Sequence, residues 1–208
     1  MKVNAVIVKN KKDKNNKPTA NAPLILSVIA VLSGLSSGVL IYCFFKESLS
    51  MEILELFTSF FWNFKGKTAG EVISGLILSA LPYIFLMFIF AMDVTGAPLC
   101  LALTFFKALA PTLLFSYLYE AQGLKGVEYV FLVLAAGEIF SISGTLFITS
   151  CSYRMSRITY NMCLKEKEKF PQEMRDFILR FSVGTGIIII SKIVTFVSVT
   201  VFGDLFTF

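Results

Sequence analysis

Lys107, Glu138 and Lys192 are the residues whose type and position invite chemistry, because each sits about halfway along a long apolar run. An ionised side chain at the centre of a membrane-spanning helix costs about 2.5–3.5 kcal/mol on insertion scales, so such groups turn inward and pair. Glu138 is the acid at that depth, and Lys192 on the following run is its expected partner. Two roles fit this spacing. One is a proton or substrate pathway through a helix bundle, and the other is a structural ion pair that fixes helix register.

Other chemistry lacks its parts. The chain contains no histidine, which removes the commonest general base and a frequent metal ligand. It has no Gly-x-x-x-x-Gly-Lys phosphate loop, no Cys-x-x-Cys and no His-Glu-x-x-His, so nucleotide hydrolysis and zinc chemistry have no starting point. Cys43, Cys100, Cys151 and Cys163 stand singly, without metal or redox spacing, and read as small packing residues. The expectation is a non-enzymatic protein without cofactor or metal.

The elements that must position the three charges follow from hydropathy. Of 208 residues, 56% are apolar and 16% charged, outside the range of a soluble domain. A spanning helix needs about 20 apolar residues to cross a hydrocarbon core about 30 Å thick. Five runs qualify, at 24–45, 72–92, 99–118, 127–150 and 178–202. The expected fold is all-α, a polytopic membrane helix bundle forming a single domain over 23–208. Pro82 and Pro111 fall inside two of the spans, where each removes a backbone hydrogen bond. Thr68 to Gly70, Asp93 to Pro98 and Tyr119 to Gly126 read as the breaks between spans.

Residues 1–22 carry six lysines among Asn and Pro and read as a disordered cytosolic tail. Between Lys46 and Glu71, Met51, Leu54, Phe57, Phe61 and Phe64 recur at helical spacing, with Trp62 suited to the headgroup boundary, so an interfacial amphipathic helix is expected. The net charge of +5 belongs to anionic lipid headgroups and not to nucleic acid, because the basic residues flank apolar runs. The lysine tail and the segment 151–177, with Arg154, Arg157, Lys165, Lys167, Lys169 and Arg175, are the richest in base. Five spans put both on one side, the cytoplasm, leaving the C-terminus outside.

Gly34 and Gly38 form a Gly-x-x-x-Gly stripe in the first span. Small residues at this spacing let another helix approach closely, either within the chain or in a homo-oligomer.

The stretch from Ala80 to Ser156 resembles the stage II sporulation protein M family of endospore-forming bacteria. The resemblance rests on Gly96-Ala97-Pro98-Leu99 at a tight turn, on Phe105-Phe106-Lys107 early in the next span, and on Gly123-Leu124-Lys125-Gly126 before the fourth. By position, Gly96, Pro98, Lys107, Gly123 and Gly126 correspond to family motif residues. Where the family follows its lysine with glycine, this chain has Ala108, Ala110 and Pro111, and Gly137-Glu138 stands where the family commonly has proline and a polar residue. The resemblance implies a membrane scaffold of the engulfment machinery. Such a scaffold recruits peptidoglycan-degrading partners, the stage II sporulation proteins D and P, to the septal membrane.

Overall fold

The structure is a computed structural model that describes residues 21–45, 68–165 and 170–202. The basic tail, the interfacial helix expected between Lys46 and Glu71 up to Lys67, and the last six residues lie outside the described residues. Within them every regular element is helical and none is a strand: α1 (Ala22–Phe45), α2 (Ala69–Met92), α3 (Gly96–Gln122), α4 (Leu124–Tyr129), a π turn (Val130–Leu134), α5 (Ala135–Lys165) and α6 (Phe170–Phe202). The helices α4 and α5 with the π turn between them make one continuous rod. Counting that rod once, five helices among the described residues are long and apolar enough to cross a membrane. This is the architecture of a multi-pass membrane protein.

The breaks between spans are narrower than the sequence suggests. Thr68 to Gly70 is a helix start and not a gap: the Thr68 hydroxyl accepts the Glu71 N–H, while the Glu71 carboxylate accepts the Thr68 N–H at 2.9 Å. That reciprocal cap satisfies two otherwise orphaned donors, so α2 begins at Ala69. The expected turn Asp93–Pro98 contracts to Asp93–Thr95, because proline is tolerated in a first helical turn, whose N–H groups are unpaired anyway. The loop expected over Tyr119–Gly126 collapses to Gly123 alone, whose backbone (φ 58°, ψ −133°) falls in territory that glycine adopts and side chains resist. Helices α2 and α3 run on through Pro82 and Pro111.

The rod of α4 and α5 is central: α5 packs against α1, α2, α3 and α6, most extensively against α6. Helices α1 and α3 are also extensively paired and run parallel, with Gly34 against Phe105 and the Tyr42 hydroxyl donating to the Glu120 carboxylate at 2.7 Å near their C-terminal ends. Helices α5 and α6 run antiparallel, Gly137 facing Thr195 while Arg154 meets Glu173 at 3.5 Å. The bundle therefore has two ends. The start of α1, the α2–α3 turn, the end of α5 and the start of α6 share one; the α3–α4 turn and the end of α6 share the other.

Outside and inside are inverted relative to a soluble protein. Phe44, Phe85, Leu124, Phe131, Ile139 and Val183 are exposed, while Thr104, Ser141, Thr149, Ser152, Ser156 and Ser191 are buried. Lipid is as apolar as leucine, so nothing drives leucine inward; close packing and interhelical hydrogen bonds hold such helices together.

Candidate functional site

The small residues set the distances at which the helices meet. A Cβ on Gly34 would run into the carbonyl oxygen of Phe105, and one on Gly38 would lie 2.8 Å from Thr112 Cβ. The Gly-x-x-x-Gly stripe thus faces α3 of the same chain. A second seam joins α5 to α6, where Gly137 meets Thr195 and Gly144 lies against Ile188. Gly96 and Gly126 abut the carbonyls of Phe90 and Leu118, so two of the motif glycines sit where tight reversals bring backbone onto backbone. Gly123 supplies the positive φ between α3 and α4, and Pro98 lies in the first turn of α3.

The α3, α5 and α6 helices bring Lys107, Glu138 and Lys192 together in the interior. Lys107 is within electrostatic reach of both others, and its Nζ lies 5.8 Å from the centre of the Tyr83 ring on α2. Lys192 is buried, with 6% of its surface exposed, and Glu138 is half-buried. The expected contact pairing differs in detail: no carboxylate-to-ammonium separation of 4.0 Å or less joins Glu138 to either lysine. The group is a loose triad of two bases and one acid rather than a closed salt bridge.

Sequence reasoning missed what surrounds this triad. From Glu138 toward the α2–α3 turn, α5 carries Ser141, Thr145, Thr149, Ser152 and Ser156, spaced by three or four residues and all buried. The signal was present in that spacing, which puts hydroxyls on one helix face. Thr149 Oγ1 contacts Thr104 Oγ1 of α3 at 2.6 Å and the Tyr83 hydroxyl of α2 at 3.3 Å. Thr149 also donates to the Thr145 carbonyl, and Ser156 Oγ donates to the Asp93 carbonyl of the α2–α3 turn at 2.9 Å.

Two of the buried hydroxyls near the triad or along this row, on Ser152 and Ser191, have no hydrogen-bond partner within the protein. An unsatisfied buried polar group costs about 1–3 kcal/mol. A serine or threonine in a helix can cancel that cost by donating to the carbonyl one turn back, as Thr104, Thr112 and Thr195 do here. Ser152 and Ser191 make no such bond.

Beyond Glu138 the interior changes character. Leu114, Leu118, Tyr129, Val130, Val133 and Leu134 form an apolar cluster that Val199 and Phe202 cover from α6. A second apolar cluster, with Met87, Ala91, Ile148, Met155, Phe177 and Ile188, packs beside the hydroxyl row toward the opposite end, so both halves of the interior are closed by apolar side chains. Among the described residues no group of three or more His, Cys, Asp or Glu is placed to hold a metal ion. Compared with protein-family models, with curated proteins and with solved structures, the chain matches none.

Proposed function

We propose that the protein is a non-enzymatic anchor in the cell membrane, of the kind its resemblance to the stage II sporulation protein M family implies, which gathers peptidoglycan hydrolases at the septal membrane during engulfment. The observation that carries this reading is the division between the two ends of the bundle. Arg154 and Arg157 near the end of α5, and Arg175 and Arg180 near the start of α6, all lie at the end where α1 begins behind its lysine-rich tail. Basic residues stay on the cytoplasmic side, so the opposite end faces outward. That outward end holds the α3–α4 turn and both attachment points of the segment 46–67, Phe45 and Thr68. It faces the compartment in which wall-degrading enzymes act, and the exposed apolar perimeter faces lipid.

The orientation is open to a direct test with native thiols. Cys43 near the end of α1 and Cys163 near the end of α5 are both exposed and lie at opposite ends of the bundle. A membrane-impermeant maleimide applied to intact cells is expected to label a variant retaining Cys43 alone. A variant retaining Cys163 alone should react only after permeabilisation. The opposite pattern would invert the topology and put the partner surface on the wrong side.

Recruitment is tested by imaging fluorescently tagged hydrolases in sporulating cells that lack this chain. Hydrolases are expected to lose their septal enrichment and regain it on re-expression. Unchanged enrichment in the deletion strain removes the anchoring role.

A further inference from the structure

We propose that the cleft between α1, α5 and α6 at the arginine-bearing end of the bundle holds the headgroup of a phospholipid that carries both a phosphate and a primary ammonium, an ethanolamine lipid. This does not depend on the anchoring role. It rests on the depth of the cleft, on the division of its wall and on the charges at its rim.

All three helices pass from polar to apolar sequence at the cleft. Pro23 precedes the run Leu24–Phe45, Arg154 is the first charged residue of α5 after Glu138, and no residue between Arg180 and Lys192 of α6 is charged. A cleft at that level opens at the edge of the hydrocarbon, where the phosphates of a bilayer lie. It measures about 90 Å³. Met155 and Phe177, buried members of the apolar cluster at this end, line its inner part, while Arg154, Asp176 and Arg180 are exposed at its rim. An apolar floor beneath a charged rim suits an amphipathic ligand better than a free ion, which would lose its hydration against hydrocarbon.

The rim charges choose the headgroup. Arg154 and Arg180 both lie within electrostatic reach of the Cys151 thiol, so two guanidiniums converge on one cleft. Glu173 and Asp176 line it as well, so the two positive groups are matched by two negative ones and no surplus remains for a purely anionic headgroup. Arg154 and Glu173 meet at 3.5 Å. Asp176 and Arg180, one turn apart on α6, do not meet: among the described residues no opposite charge lies within 4.0 Å of either. Residues four apart on a helix are near neighbours, so this couple presents a carboxylate and a guanidinium side by side, both open to a ligand. A phosphate and an ammonium two carbons apart complement it. The Arg180 guanidinium donates to the phosphate oxygens, and the ammonium donates to the Asp176 carboxylate.

Cys151 lines the cleft and reports its occupancy. In the unaltered full chain, stripped of lipid in a neutral detergent, modification of Cys151 by a small methanethiosulfonate is followed by peptide mass spectrometry. Dioleoyl lipids with ethanolamine, glycerol or choline headgroups are added in turn, and free phosphoethanolamine separately. The ethanolamine lipid is expected to slow modification about tenfold, while the other three change it by less than about twofold. Equal protection by the glycerol or choline lipid overturns the proposal, because the paired charges are then not what is read. Protection by free phosphoethanolamine overturns it too, since the ligand is then soluble, as does protection by none of the four. Two variants at exposed rim positions test the assignment of each charge. Asp176→Asn should abolish the preference for ethanolamine over glycerol, and Arg180→Gln should abolish protection altogether. A preference that survives the first, or protection that survives the second, overturns the proposal, and the lipid series on the unaltered chain decides it alone where a variant fails to fold.

Discussion

The double variant Gly34→Ala/Gly38→Ala is expected to lower the stability of the bundle by about 3 kcal/mol, although alanine is the better helix former at both positions. The added methyl on residue 34 meets the Phe105 carbonyl, and the one on residue 38 meets Thr112 and the Leu109 carbonyl at 2.9 Å. Backbone oxygen in a helix cannot step aside as a flexible side chain can, so α1 as a whole must move off α3. Overpacking of this kind costs typically 1–3 kcal/mol per site, which exceeds the gain of about 1 kcal/mol per site in helix propensity. Gly75 and Gly186 provide the opposite case, since a Cβ on either meets nothing within 4 Å. There Gly75→Ala/Gly186→Ala should stabilise by about 2 kcal/mol, one for each site. Reversible unfolding in mixed detergent micelles measures both, and a shift of the same sign for the two pairs would show that the seam does not hold α1.

Glu138→Gln is the second large effect, a loss of about 3 kcal/mol, and it follows from counting charges. The triad holds two bases and one acid. Removing the acid leaves Lys107 and Lys192 facing each other in a water-poor interior with no counter-charge. Removing a base instead leaves one of each sign, so Lys192→Met alone should cost about 1 kcal/mol or less, its stem volume being retained. The double variant Glu138→Gln/Lys192→Met should then recover at least half of what Glu138→Gln loses. Non-additivity of that size is the mark of coupled neighbours, and purely additive losses would mean that Glu138 and Lys192 do not interact.

The five-helix architecture is legible in the sequence because the bilayer imposes a length: runs such as Leu24–Phe45 and Ile178–Phe202 are too long and too apolar for any other element. Segment ends are less legible. Gly123 looks like one member of a polar loop, yet it is the whole of it, since chain reversal there needs only one positive φ and the approach of Gly126 to Leu118. Thr68 and Glu71 spell a capping box, whose meaning depends on two side chains reaching back at once. The triad is legible as three expensive charges, but its looseness is not, because pairing distance depends on the relative rotation of α3, α5 and α6. The hydroxyl row was overlooked for a different reason. Serine and threonine score as nearly neutral in hydropathy, so Thr145, Thr149 and Ser152 vanish into an apolar average even though their three- and four-residue spacing puts them on one face.

The π turn at Val130–Leu134 has a consequence for chain length. A widened turn of this kind holds one residue more than an α-helix would, and each residue of an α-helix turns the chain by about 100°. Regularising this turn to α-helix with all its residues kept would rotate α4 by that angle relative to α5. Gly126 could then keep its place under the Leu118 carbonyl, or Glu138 could keep its aim into the bundle, but not both. The surplus residue works as a clutch between two registers. It lets the outer half of the fourth span dock on α3 while the inner half presents its acid, and it does so from a stretch of sequence that contains nothing but valine, phenylalanine and leucine.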